Sequence, residues 1–230
     1  METKIIPRRP YLVWPSDQVQ EHLRYWADEL ETYGVSQVLR WAFETYAPQL
    51  AVISSFGPGS CVLASILAEN NIGVPFYHVD TGYHFLETHE LGLELQNRYG
   101  IQIDRFSPES SVEEFEATHG SLYRHDPGRC CHERKYNVLK QIAPGLKAWI
   151  CSTRRDQYRS HAGMPVIDWD ERFGIIRIAP LARWTKQSVW EKIRREKIPY
   201  NPLFDQEYSK IDCAPCTHRD FVDDFEATSF

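Results

Sequence analysis

The 230-residue sequence predicts an α/β fold, a single domain built on a doubly wound and mostly parallel sheet, and three observations support it. Short, continuously apolar runs alternate with helical patterns at the spacing of βαβ units. The first two of these runs each stop at a polar, glycine-bearing cluster, at the strand ends where such sheets bind ligands. No shift in composition and no Ser/Gly linker divides the chain.

Two amphipathic helices are expected first, over Ser16 to Tyr33 (Val19, Leu23, Trp26 and Leu30 at spacings of three and four) and over Ser36 to Tyr46. Leu50 to Ile53 is an apolar run ending in a glycine loop, Ser54 to Ser60, and the apolar helical pattern CVLASILAEN follows. The alternation continues with a strand at Val74 to Val79, a helix at Phe85 to Tyr99 and a strand at Ile101 to Phe106. A helix from Cys130 to Ile142 and a strand at Ala148 to Cys151 come next. Ile175 to Ile178 is a further short strand, and Thr185 is the N-cap of a helix reaching Glu196. These elements give N-terminal helices at 16–46, a core at 50–217 and an acidic tail at 218–230.

Hydrophobic residues at 42%, charged residues at 25% and a net charge of -6 describe an ordinary globular chain and exclude disorder. The acidic balance speaks against a general nucleic-acid binder. The sequence has no apolar run of membrane-spanning length and no signal peptide at its start, so a cytoplasmic location away from membranes is expected. Charge is uneven, however. Between Arg129 and Arg159 eight basic residues meet only Glu133 and Asp156, whereas Asp220, Asp223, Asp224 and Glu226 make the tail acidic. By charge alone the basic stretch reads as a solvated face and the tail as a frayed end.

The loop Ser54-Ser55-Phe56-Gly57-Pro58-Gly59-Ser60 stands between a buried strand and a helix start, where free N–H groups and hydroxyls suit a phosphate or sulfate. Alone it is ordinary turn chemistry. Asp80, Thr81 and Gly82 end the next strand and should face the same cleft. Ser152, Thr153, Arg154, Arg155, Asp156 and Gln157 end a third, bringing guanidinium groups suited to bidentate anion capture.

Of six cysteines, four fall into close pairs, Cys130 with Cys131 and Cys213 with Cys216, while Cys61 and Cys151 are expected in the core. A reducing compartment makes a disulfide frame improbable. Four thiolates match an all-cysteine zinc site or an iron–sulfur cluster, and the adjacent pair favours the larger cluster with separated iron corners. Lys135, one turn beyond Cys131, is either an exposed helical lysine or a charge beside that cluster.

Taken together, SSFGPGS, VDTGYHFLET, RCCHERK, STRRDQ, PLARWT, PYNPL and CAPCT resemble the sulfonucleotide (APS/PAPS) reductases of assimilatory sulfate reduction, within the PP-loop, adenine nucleotide α-hydrolase-like fold. The likeness runs from about Val35 to Thr217. It implies thioredoxin-dependent reduction of APS or PAPS to sulfite, with thioredoxin or glutaredoxin as partner. A homo-oligomer is compatible with it. The nucleotide would lie on Ser54, Ser55, Phe56, Gly57, Ser60, Asp80, Thr81, Gly82 and Ser152, and its phosphosulfate would meet Arg154, Arg155 and Gln157. Cys130, Cys131, Cys213 and Cys216 look like the [4Fe-4S] ligands, with Lys135 as the electrostatic residue between cluster and substrate.

Departures from that pattern in the loop, in the arginine stretch and at the C-terminus are expected to matter. Ser60 stands near the family's acidic loop position, Ser152 replaces a glycine, and His161 replaces the last arginine of its R-R-E-Q-S-x-x-R stretch. Family members also end in E-C-G-L-H, whose cysteine is the nucleophile; this sequence stops at Phe230 without it, so no nucleophilic cysteine is assigned. The alternatives are a noncatalytic [4Fe-4S] nucleotide-binding protein and a PP-loop ATP-using ligase or pyrophosphatase, the latter disfavoured by the lack of an S-G-G-x-D-S type loop.

Overall fold

The structure, a computed structural model, describes residues 16–219. The tail acids Asp220, Asp223, Asp224 and Glu226 lie outside the described residues. Two helices come first, α1 (Asp17–Glu29), capped by the Ser16 hydroxyl, and α2 (Val35–Tyr46). Then follow β1 (Leu50–Ile53), α3 (Pro58–Glu69), β2 (Phe76–Val79), α4 (Leu86–Tyr99) and β3 (Ile103–Phe106). Helices α5 (Val112–His119), α6 (Leu122–His125), α7 (Pro127–Cys131) and α8 (Asn137–Ile142) precede β4 (Ala148–Ile150). The chain continues through β5 (Ile167–Asp170) and β6 (Ile175–Ile178) to α9 (Lys186–Glu196), which starts at the expected Thr185 cap.

The six strands lie in the order β3-β2-β1-β4-β6-β5, parallel throughout except for the antiparallel β5–β6 pair. Strand order reverses between β1 and β4, the switch point at which open α/β sheets bind ligands. Both faces are covered, which is why β1 reads as an unbroken apolar run. One face meets the main core, including Leu39, Leu63, Leu67, Leu95 and Ile193 from α2, α3, α4 and α9. The other packs Val79, Trp149 and Ile175 against Val138, Leu139 and Ile142 of α8.

Three expectations need correction. The edge strand β5 was not anticipated, because its apolar residues are interrupted by acids; Asp168 pairs with Arg177 across the antiparallel ladder. Helix α5 also escaped notice, since Phe115 is its one buried residue, although its capping box of Ser111 and Glu114 was readable. Lastly, the helix expected from Cys130 to Ile142 begins earlier, at Pro127, and is not uniform: His132–Tyr136 is a π-helical segment in which Asn137 N–H reaches back to the His132 carbonyl.

Candidate active site

Beyond the carboxyl ends of β1, β2 and β4 lies a cavity of about 390 Å³. Its walls come from the β1–α3 loop (Ser54, Ser55, Ser60), from Thr81 after β2, from Ser152 and Thr153 after β4, and from the helical segment bearing Cys130, Cys131, Arg134 and Lys135. A strap holding Lys210, Asp212, Cys213 and Cys216 completes it. Residues far apart in sequence therefore meet because their strands are neighbours in the sheet.

Within the first loop, Ser54 Oγ accepts from Phe56 N–H at 3.0 Å, and Ser60 Oγ lies 3.2 Å from Ser152 Oγ. Phe56 and Gly57 do not line the cavity. Phe56 takes a left-handed backbone (φ 56) and is buried, its ring 4.6 Å from that of His78 and pressed on Gly92. His78 Nδ1 is 3.0 Å from the Ser54 carbonyl, and burial lowers its pKa to about 4, so the ring is neutral and donates that bond.

After β2, Asp80 Oδ1 accepts from Gly82 N–H at 2.9 Å, forming a turn that needs the positive φ of Gly82 (81°). Asp80 and Gly82 face a second cavity of about 340 Å³ beside Ser107, Ser110 and Ser111. Thr81 alone of the three reaches the main cavity, with Oγ1 3.1 Å from Cys213 Sγ. Arg134, unmarked by the sequence reading, anchors this turn. Its buried guanidinium donates to the carbonyls of Thr81 (2.7 Å), Ser110 (3.0 Å) and Ser111 (3.2 Å), between the rings of Tyr83 and Phe115.

All four paired cysteines line the one cavity. Burial pushes the Cys130 thiol up to about 11, with Cys131, Cys216 and Cys213 adding to the rise; Cys213 and Cys216 are raised for the same reason, burial first. Four thiols that repel one another's charge in a shared pocket are a donor set that a positive metal group would satisfy. Among the described residues no three His, Cys, Asp or Glu side chains are gathered around a single point. A four-iron cluster takes one thiolate at each iron, and the chemistry of four cysteines on one cavity suits such a group. The strap is fixed by Ala214 N–H donating to the Tyr83 carbonyl at 2.7 Å, and by Thr217 Oγ1 bridging the Asp212 N–H and the Cys213 carbonyl.

The STRRDQ stretch behaves differently from expectation. Ser152 lines the cavity, but Arg154, Arg155 and Gln157 do not. Arg154 is buried and pairs with Asp156 at 2.9 Å, with its N–H held by Gln157 Oε1. Arg155 is engaged by Glu31 at 2.5 Å and by the Met164 carbonyl. His161 also lies away from the cavity, its ring against Tyr158. Cys61 is in the core as expected, whereas Cys151 is half-buried and lines the cavity, since β4 ends one residue before it. Besides Arg134, the sequence reading missed Lys210 and Asp212; their place beside the C-x-x-C was the available signal.

The profile of the phosphoadenosine phosphosulfate reductase domain matches residues 49–219. An adenosine 5′-phosphosulfate reductase of Oceanobacillus iheyensis is 36% identical over 211 residues, 91% of this chain and 88% of the relative. Another, from Bacillus pumilus, is 38% identical over 191 residues, 82% of each chain. Among solved structures, the phosphoadenylyl-sulfate (PAPS) reductase of Candida auris in its phosphate complex superposes with a TM-score of 0.78 at 28% identity, covering 90% of this chain and 100% of that one. With the sheet, its switch-point cavity and the ordered motifs all in agreement, the chain belongs to the phosphoadenosine phosphosulfate reductase domain family.

Proposed function

We propose that this protein reduces adenosine 5′-phosphosulfate to sulfite and AMP, drawing electrons from a thioredoxin or glutaredoxin, and carries a [4Fe-4S] cluster on Cys130, Cys131, Cys213 and Cys216. The observation that carries the reading is the gathering of both cysteine pairs, Lys135 and the serine-lined ends of β1 and β4 around one cavity. Relatives that are adenosine 5′-phosphosulfate reductases favour that nucleotide over its 3′-phosphorylated form.

In such a reaction a thiolate attacks the sulfur of the phosphosulfate and the sulfur–oxygen bond to phosphate breaks. AMP departs with the electron pair. A dithiol then reduces the S-sulfocysteine, becoming a disulfide as sulfite leaves. The described residues supply binding and electrostatics: Ser54, Ser55, Ser60 and Ser152 offer hydroxyls, and Lys135 brings an ammonium to the charge that grows on the leaving phosphate. Phe56, Gly57, Asp80 and Gly82 shape the loop and turn behind that surface, and Arg154, Arg155 and Gln157 brace the third one. A bound cluster would tie the Cys130–Cys131 helix to the Cys213–Cys216 strap and add its own charge there. Burial pushes the Cys61 thiol up to about 12 and raises that of Cys151, so neither is a ready thiolate. A second reading is a nucleotide-binding protein without reductase activity, in which the serine-lined cavity holds the nucleotide and no thiol attacks it.

The deciding experiment is anaerobic sulfite release by the native protein with thioredoxin, supplying APS and PAPS separately. Sulfite from APS is expected. Sulfite from PAPS alone would reverse the nucleotide, and none from either, with nucleotide bound, would leave the second reading. Cys213→Ser should abolish the brown chromophore and lower the iron content; full iron in that variant would overturn the ligand set.

A further inference from the structure

We infer that Lys210 is a substrate-binding residue, its ammonium taking phosphate or sulfonate oxygens of the nucleotide from the strap side of the main cavity. This rests on the sulfonucleotide reading above and names a residue that the family's motifs do not mark.

An anionic ligand in a pocket of this size needs donors that are not already committed. Arg154 and Arg155 are held by Asp156 and Glu31 and do not face the cavity. Arg134 does line it, but its Nε and Nη1 are spent on three backbone carbonyls. Among the lining residues, Lys135 and Lys210 are the remaining cations. They stand on separate elements, one on the π-helical segment and the other on the strap.

Lys210 is held ready rather than locked. Among the described residues its ion pair is with Asp212, Nζ to Oδ2 at 2.7 Å, and the two side chains are 65% and 37% exposed. Pairs this open contribute little. An ammonium has three donors, and with the Asp212 carboxylate and the Tyr158 hydroxyl as partners one is left for a ligand. Asp212 is itself fixed, because its N–H donates to Thr217 Oγ1 within the strap. The carboxylate thus positions Lys210 at the cavity and yields it to a more highly charged group. A lysine suits this duty, since its flexible stem can follow the ligand, where a braced arginine cannot.

The test is equilibrium binding to the native, cluster-bearing protein under anaerobic conditions, using APS and AMP as probes. For Lys210→Ala, APS affinity should fall about tenfold, the lower end for a hydrogen bond to a charged group. Lys210→Arg should restore part of it, and Asp212→Asn should tighten binding by releasing the ammonium. Iron content and the visible spectrum should stay as in the native protein, which separates a binding role from loss of the strap. A loss seen with APS but not AMP assigns the contact to the sulfonate. An equal loss with both assigns it to the α-phosphate. Unchanged affinity for both in Lys210→Ala would overturn the inference. Failure of the unaltered protein to bind either nucleotide would instead overturn the function on which it rests.

Discussion

His78 shows how a single side chain can govern a loop it does not belong to. It holds the Ser54 carbonyl, supports the Phe56 ring and stays neutral in a site where it is 1% exposed. Its pKa falls from 6.5 to about 4 because burial penalises the charged ring. The unfolded chain therefore binds the proton first as pH falls. The stability this neutral ring contributes is intact above pH 6.5 and drains away toward pH 4, by about 3 kcal/mol in total. Denaturant titrations at pH 7 and pH 4.5 should show that loss, and His78→Phe should narrow the difference between the two pH values; an unchanged difference would remove His78 as its source. None of this was legible in the sequence, where His78 stands inside an apolar run. Lys135 was legible because it follows the cysteines, and Arg134 was passed over beside it because partners such as Ser110 and Ser111 are brought in by the fold.

At the scale of elements, close approach decides the site's shape. The first turn of α3 abuts the end of β4 so tightly that a Cβ at Gly59 would lie 2.9 Å from Ser152 Cβ and 3.2 Å from its carbonyl oxygen. Gly59→Ala should cost about 1 to 3 kcal/mol by overpacking and also weaken nucleotide binding, because the displaced residue is a wall of the cavity. Gly73→Ala, with nothing within 4 Å, should leave both unchanged in thermal melts and binding titrations. The βα alternation was readable through β4 because buried parallel strands must be apolar, and the Thr185 cap because its hydroxyl is what the first turn of α9 needs. Strand β5 was not, since an edge strand tolerates the acids Asp168 and Asp170. The direction of Arg154 and Arg155 was equally hidden, being set by Asp156 and by Glu31 from beyond α1.

For the molecule as a whole, the strap is held to the sheet edge by few bonds: Ala214 N–H to the Tyr83 carbonyl, and Thr81 against Cys213. Removing iron with a chelator should therefore raise hydrogen exchange across residues 207–219 while the sheet amides stay protected, as mass spectrometry can read. Equal protection before and after would mean the cysteines are not joined by a metal group. The strand order carries a different consequence. Strands β1 and β4 are direct neighbours, yet β2, β3 and the six helices α3 to α8 intervene in the chain between them. Their pairing closes a long loop, an event that comes late in the assembly of such sheets. The nucleotide pocket spans that seam, so no partly folded chain can own one. A ligand bound there acts as a proofreader of folding: it recognises only molecules whose two half-sheets have met, and at a hundred times its Kd it would favour them by about 2.7 kcal/mol.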